Sequence, residues 1–333
     1  MIKEDVIVVG AGPCGLSAAI YLQENGYNPL IIEKGNIVQA IYNYPTHQQF
    51  FSSSEKLEIG QMPFVIEGRK PKRNQALAYY REVVRRKKLR IHAFEKVINV
   101  QKQDSGSFEI TAIRQKHQEE VRYEARFVVI ATGYYDNPNY MGVPGEDLPK
   151  VFHYFKEAHP FFDCDVVVVG GKNSAVDTTM ELEKAGARVT VIYRGEDYSP
   201  SVKPWILPEF QSLVKHNKVK MVFKGHIKEI KEDSVIYTTQ DGETHEIAND
   251  YVFAHTGYHP DHDFLKKIGI KIDQETGRPF YNPETMETNV SGAFIAGVIA
   301  AGNNANEIFI ENGRWHGEAI AKSIIEKDKE NRA

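Results

Sequence analysis

Apolar and polar positions along this chain fall into one arrangement that occurs twice. Asp5-Val-Ile-Val-Val-Gly10-Ala-Gly12-Pro13-Cys14-Gly15-Leu-Ser-Ala-Ala runs from a β-branched stretch through a small-residue turn into a helical pattern. Asp165-Val-Val-Val-Val-Gly170-Gly171-Lys172-Asn173-Ser174-Ala175-Val-Asp177 does the same 160 positions later. The first helix runs out at Asn25-Gly26 before Leu30-Ile-Ile-Glu33, the second at Ala185-Gly186 before Val189-Thr-Val-Ile-Tyr193. Each segment predicts a β-α-β unit of about thirty residues with a right-handed crossover. Between the two, 91–113 and 120–131 alternate as strands, with a hairpin expected at Asp104-Ser-Gly106. Ile130-Ala131-Thr132-Gly133 closes that stretch, and Tyr134–Gly145 is a polar, Pro/Gly-rich connector. A related set follows the second unit and ends in Phe253-Ala-His-Thr256-Gly257. Gly292–Val298 reads as a strand entering a Gly/Asn loop, and a terminal amphipathic helix is expected from roughly Glu307 to Glu326. The prediction is an α/β chain with two Rossmann-like dinucleotide-binding units.

The first glycine motif carries specific chemistry. Gly10, Gly12 and Gly15 match G-x-G-x-x-G directly after a strand. The first glycine permits the tight turn, the second lets backbone approach a pyrophosphate, and the third lets helix and strand pack closely. The helix N-terminus then offers free N–H groups to the anion. Glu33 ends the next strand, 23 residues after Gly10, where its carboxylate can accept from a ribose diol. The second motif departs from this pattern. Lys172 stands where the second glycine belongs, so a cationic side chain lies near the expected pyrophosphate. The matching strand ends in Tyr193-Arg194-Gly195 with no acid. Arg194 suits a ribose 2′-phosphate that an acid would repel, so NADPH is expected over NADH, with Lys203 as a second candidate.

Composition narrows the class. The 333 residues hold 41 Lys plus Arg against 45 Asp plus Glu, a net charge of −4, without the basic excess of a nucleic-acid binder. Two cysteines exclude a disulfide framework and a four-cysteine zinc site. The apolar runs fall short of the ~20 residues that span a bilayer, and Met1–Asp5 lacks a signal-peptide pattern. A cytoplasmic protein without nucleic-acid or membrane partners is expected.

Both dinucleotide motifs, Ile130-Ala131-Thr132-Gly133 and Phe294-Ile-Ala-Gly297-Val298 together resemble the two-dinucleotide-binding-domain flavoproteins, in the general form of low-molecular-weight thioredoxin reductase. The finer resemblance is to the YpdA-type bacillithiol disulfide reductases. It rests on Gly-Ala-Gly-Pro-Cys14-Gly, on Gly170-Gly-Lys172-Asn-Ser-Ala and on Ala296-Gly297-Val-Ile-Ala-Ala-Gly302. It covers essentially the whole chain. The resemblance implies an FAD domain of residues 1–136 and 257–333 with an NADPH domain, 137–256, inserted into it. It implies that Gly10, Gly12, Pro13, Cys14, Gly15, Glu33 and Lys34 bracket the FAD pyrophosphate and adenosine. Val97 would contact adenine through its backbone, Ala131, Thr132 and Gly133 would pass beside the dinucleotide, and Gly297 and Val298 would lie near the ribityl chain and flavin. Gly170, Gly171, Lys172, Asn173, Ser174 and Arg194 would hold NADPH. Val298 departs from the broader family, which usually has Gly-Asp here, so a backbone or water contact must replace the side chain. A homo-oligomer is implied as well.

Thioredoxin reductases carry a C-x-x-C pair, whereas Cys14 and Cys164 stand 150 positions apart. A dithiol relay is therefore excluded, and either one cysteine acts or the flavin passes electrons on directly. Cys14 is the candidate nucleophile because a helix N-terminus lowers thiol pKa, although a neighbouring pyrophosphate opposes this. Cys164 reads as a boundary cysteine. The expected reaction is NADPH-dependent reduction of bacillithiol disulfide, alone or with a bacilliredoxin relay, and the thiolate of Cys14 would attack the disulfide. The alternatives are a thioredoxin-reductase-like ferredoxin/flavodoxin–NADP+ reductase and a nucleotide-binding redox sensor. Phe152–His159 only faintly echoes the flavin-monooxygenase linker. His255, His259 and His262 with Asp261 and Asp263 read as a post-strand loop, so no metal is expected. Tyr42, Tyr44, Pro45, His47, Phe50, Phe51 and Ser52–Ser54 form an aromatic, hydroxyl-rich loop that either flanks the flavin or packs as a connector. Arg81, Arg85, Arg86, Lys87, Lys88 and Arg90 read as a solvated helix end.

Overall fold

The computed structural model describes Met1–Asn304 and Asn306–Glu330. In chain order the elements are β1 (Ile2–Val9), α1 (Pro13–Glu24), β2 (Leu30–Glu33), α2 (Gln39–Asn43), α3 (Arg73–Lys87), β3 (Arg90–Ala93), β4 (Glu95–Lys102), β5 (Phe108–Arg114) and β6 (Glu119–Ile130). There follow β7 (Val151–Phe152), β8 (Asp165–Val169), α4 (Asn173–Lys184), β9 (Arg188–Tyr193), α5 (Leu207–Lys215) and β10 (Val219–Phe223). Next come β11 (His226–Ile230), β12 (Ser234–Thr238), β13 (Thr244–Ala248) and β14 (Tyr251–Ala254). The chain ends in α6 (His262–Ile268), β15 (Ala293–Ile295), α7 (Ile310–Gly313) and α8 (His316–Glu330). No helix among the described residues is long and apolar enough to cross a membrane.

Contacts divide the chain into two units. Met1–Asn43, Gln48–Asn137 and the chain from Tyr258 onward form the first, and Tyr44–His47 with Pro138–Gly257 form the second. The short segment Tyr44–His47 joins the second unit by a hydrogen bond from the Thr46 N–H to the Lys156 carbonyl and by the His47–Glu181 pair, 3.2 Å.

The first unit is built on one sheet in the order β3-β2-β1-β6-β5-β4, with β15 also paired to β6. Its parallel part is β3, β2, β1, β6 and β15, while β4, β5 and β6 run antiparallel. Val6–Val9 and Leu30–Ile32 are buried throughout, which is why they read as unbroken apolar runs: a parallel strand is covered on both faces. α1 starts with Pro13 in its first turn, where the missing N–H costs no hydrogen bond. The expected single terminal helix is instead two, α7 and α8, separated at Arg314–Trp315. At that break the Arg314 guanidinium donates to the carbonyls of Glu55 and Glu58, which ties the backbone where the helix is interrupted.

The second unit has a five-stranded parallel sheet, β10-β9-β8-β14-β7, and a separate antiparallel ladder, β11-β12-β13. An aromatic core of Phe155, Phe161, Phe210 and Phe253 packs with Val166, Val168 and Val176 on one side of the parallel sheet. Val167, Ile192 and Val252 pack with Ile230, Val235 and Tyr237 of the small ladder on the other.

Candidate functional site

The two glycine turns are built in the same register. The Gly10 N–H donates to the Ile32 carbonyl at 2.9 Å, and the Gly170 N–H to the Ile192 carbonyl at 3.0 Å. The Ala131 N–H reaches the Val9 carbonyl at 2.8 Å, and the His255 N–H the Val169 carbonyl at 2.8 Å. This internal duplication lets each unit serve as a control for the other.

In the first unit, two of the three glycines are there because nothing larger fits. A Cβ on Gly10, whose φ is +107°, would lie 2.5 Å from the Ala131 carbonyl oxygen, and one on Gly15 would lie 2.1 Å from the Gly10 oxygen. Gly12 differs: a Cβ there would meet nothing within 4 Å. Open space over the residue that caps α1, beside its unpaired N–H groups, is the cradle a pyrophosphate needs. Glu33 is buried at the end of β2, its Oε2 accepting from the Ala11 N–H at 2.8 Å and its Oε1 from the Gly35 N–H at 2.7 Å. Burial raises its pKa, and those two N–H groups pull the other way. Each oxygen keeps a second lone pair for a diol. Lys34 pairs with Asp136 at 2.8 Å. Val97 is buried on β4, just after Phe94, whose N–H donates to the Gly35 carbonyl at 2.8 Å. Ala131–Gly133 and Gly297–Val298 follow the paired strands β6 and β15, so these positions line the carboxyl edge of one parallel sheet, where α/β folds bind ligands. A dinucleotide fits this set.

Cys14 also lies here, its side chain half-buried. A Cβ on Gly297 would come within 3.1 Å of its Sγ and one on Gly313 within 2.9 Å, so the sulfur packs against the bare backbone of two glycines. Burial pushes its pKa up to about 12. That rise opposes the lowering a helix N-terminus gives. Cys164 donates to the Phe162 carbonyl at 3.5 Å, and burial with the nearby Asp250 and Asp163 raises its pKa too.

In the second unit the same strand-end register places Tyr193 where the first unit has Glu33, and Arg194 where it has Lys34. The Tyr193 ring lies between two glycines: a Cβ on Gly171 would be 2.5 Å from its Cγ, and one on Gly195 would be 2.4 Å from its Cε1. It fills the slot that a carboxylate occupies in the other unit. Arg194 is exposed and has no hydrogen-bond or ion-pair partner among the described residues. Lys172 is exposed in front of α4, and Ser174 is exposed in its first turn. The Asn173 side chain clamps the loop after β9, accepting from the Lys203 N–H at 3.0 Å and donating to the Ser201 carbonyl at 2.9 Å. An acid-free strand end with free cations beside a glycine turn fits a phosphorylated ribose.

The family described as pyridine nucleotide-disulphide oxidoreductase matches residues 7–297, a span that takes in both glycine turns. The chain belongs to that family. It is 62% identical over 328 residues to bacilliredoxin reductase Bdr of Bacillus subtilis (strain 168), covering 98% of this chain and 99% of the relative. Among solved structures it is similar to bacillithiol disulfide reductase Bdr (YpdA) from Bacillus cereus, with a TM-score of 0.96 and 65% identity over 98% of this chain and 99% of that one. The same enzyme from Staphylococcus aureus gives 0.94 and 58% over the same shares.

Within this oxidoreductase family, three features of the site were not read from the sequence. Tyr193 was seen only as the absence of an acid, although the glycines on either side of it, Gly171 and Gly195, mark a ring packed on backbone. Gly313 and His316 lie in the terminal helices, far along the chain from Cys14, and no local pattern singles them out. Among the post-strand residues, His255 has both ring nitrogens buried without a hydrogen-bond partner among the described residues, and burial with nearby His153 lowers its pKa to about 4. Asp261 caps α6 by accepting from the Phe264 N–H.

Proposed function

We propose that this chain is an NADPH-dependent flavoprotein disulfide reductase whose disulfide substrate is that of bacillithiol. The observation that carries this reading is identity near or above 60%, over almost the full length of both chains, to enzymes named for bacillithiol disulfide or bacilliredoxin reduction. The first unit is assigned FAD, on the open cradle at Gly12 and the buried Glu33 carboxylate. The second is assigned NADPH, on Tyr193 in place of an acid and on the free Arg194. A bound flavin supplies the coupling between a hydride donor and a two-electron disulfide acceptor. The overall change is NADPH + H⁺ + RSSR → NADP⁺ + 2 RSH.

The residues of this chain bind and orient both nucleotides. Glu33 holds the turns at Ala11 and Gly35, and Asn173 holds the loop that carries Lys203 against α4. Cys14 enters as a protonated packing thiol, so the reading takes electrons to the disulfide without a cysteine adduct. The reading puts the enzyme in the cytoplasm, where thiols are kept reduced.

Anaerobic NADPH oxidation by the FAD-loaded protein tests this directly. Bacillithiol disulfide should stimulate turnover in wild type and in Cys14→Ala alike. If NADPH reduces the flavin but only ferredoxin or flavodoxin turns it over, the disulfide assignment is wrong.

A further inference from the structure

Gly297 is held from two sides. Its φ of +82° lies in the left-handed region, and Cys14 packs where a side chain would project. Its N–H donates to Nδ1 of His316, the first residue of α8, at 3.1 Å. A ring nitrogen that accepts a hydrogen bond carries no proton, so the neutral imidazole holds its proton on Nε2. Burial lowers the His316 pKa, which keeps that neutral form near pH 7. Nε2 has no partner among the described residues, and it is not one of the partnerless side-chain atoms sealed from solvent.

The backbone that follows β15 is otherwise poor in polar reach. The Gly297 N–H is already used by His316, and Val298 has no polar side chain. His316 is thus bonded to Gly297, at the carboxyl edge of the sheet that carries Gly10, Gly12 and Glu33, and has a neutral Nε2–H left to donate. A hydroxyl oxygen accepts readily from an uncharged N–H. We propose that His316 is a ligand of the first unit's dinucleotide, its Nε2–H donating to a hydroxyl of the ribityl chain in place of the side chain that Val298 lacks. This rests on the reading that the first unit binds FAD.

The test is titration of the flavin-stripped full-length protein with FAD, read by quenching of flavin fluorescence, with ADP as a competitor. His316→Ala should weaken FAD about tenfold, the equivalent of about 1.4 kcal/mol for one neutral hydrogen bond. ADP, which has no ribityl chain, should compete within about twofold of its wild-type strength. Adding Val298→Asp to His316→Ala should recover most of the lost FAD affinity by accepting from the same hydroxyl. His316→Gln, which keeps an N–H donor, should stay within about threefold of wild type and covers the case in which His316→Ala does not fold. The proposal fails if folded His316→Ala binds FAD as wild type does, or if FAD and ADP weaken equally, because His316 would then only brace the Gly297 loop. Wild-type protein that takes up no FAD would overturn the underlying reading instead.

Discussion

Whether Cys14 can act as a nucleophile turns on how much of its thiol is ionised. Its Sγ sits against Gly297 and Gly313, and burial moves its pKa from an ordinary 9.0 to about 12. A pKa of about 12 lowers the thiolate population at pH 8 about a thousandfold relative to an exposed cysteine. Native protein pulsed with iodoacetamide at pH 8, quenched and digested, should therefore show Cys14 alkylated at least about a thousandfold more slowly than in the urea-unfolded chain. Cys14→Ala removes one buried sulfur and should cost about 1 kcal/mol of stability through the small void it leaves. Its turnover with bacillithiol disulfide should stay within about threefold of wild type, since no adduct at Cys14 is required. Native labelling within tenfold of the unfolded rate would show that the pocket opens or that the thiol is charged. Loss of disulfide-dependent turnover in Cys14→Ala, with normal flavin content, would refute the reasoning outright.

The duplicated turns supply a second prediction. In Tyr193→Glu the new carboxylate should take the N–H groups of Gly171 and Gly195 as Glu33 takes those of Ala11 and Gly35, and the ratio of kcat/KM for NADPH over NADH should fall by about 30-fold or more, worth about 2 kcal/mol of charge repulsion; Arg194→Ala should raise the KM for NADPH far more than for NADH, and equal effects on both would remove the 2′-phosphate assignment. Gly12 and Gly15 should separate binding from folding. Gly12→Val should melt within a few degrees of wild type but lose flavin, whereas Gly15→Val should lose at least about 3 kcal/mol of stability, because its Cβ meets the Gly10 oxygen; flavin retained by Gly12→Val would mean the open space is not the cradle. The His255 pKa, lowered to about 4 by burial, makes the chain acid-sensitive. A folded-state pKa below the unfolded ~6.5 contributes stability that is present above pH 6.5 and lost as pH falls toward 4, amounting to about 2 kcal/mol by pH 5. Urea unfolding at pH 8 and pH 5 should show this loss in wild type and not in His255→Leu, and equal losses in both would assign it to other groups.

What could be read along the chain was whatever local physics writes into consecutive residues. Val6–Val9 and Val166–Val169 announced parallel strands because such strands are covered on both faces, so their apolar runs are unbroken. Gly10 and Gly15 were legible because a tight turn and a close helix–strand approach tolerate nothing larger, and Glu33 and Arg194 because strand-end charge bears directly on a ribose or its phosphate. Tertiary structure decided the rest, wherever one atom's environment comes from distant segments. Cys14 has two opposed local influences on its thiol, and the packing of Gly297 and Gly313 against its sulfur, from roughly 300 positions away, is not written beside it. Tyr193 became a filled slot rather than a missing acid only once Gly171, 22 positions earlier, closed on its ring. His316 gained a fixed tautomer only from the Gly297 N–H. Turn chemistry and strand burial are properties of neighbours in sequence, while protonation state and packing are properties of neighbours in space.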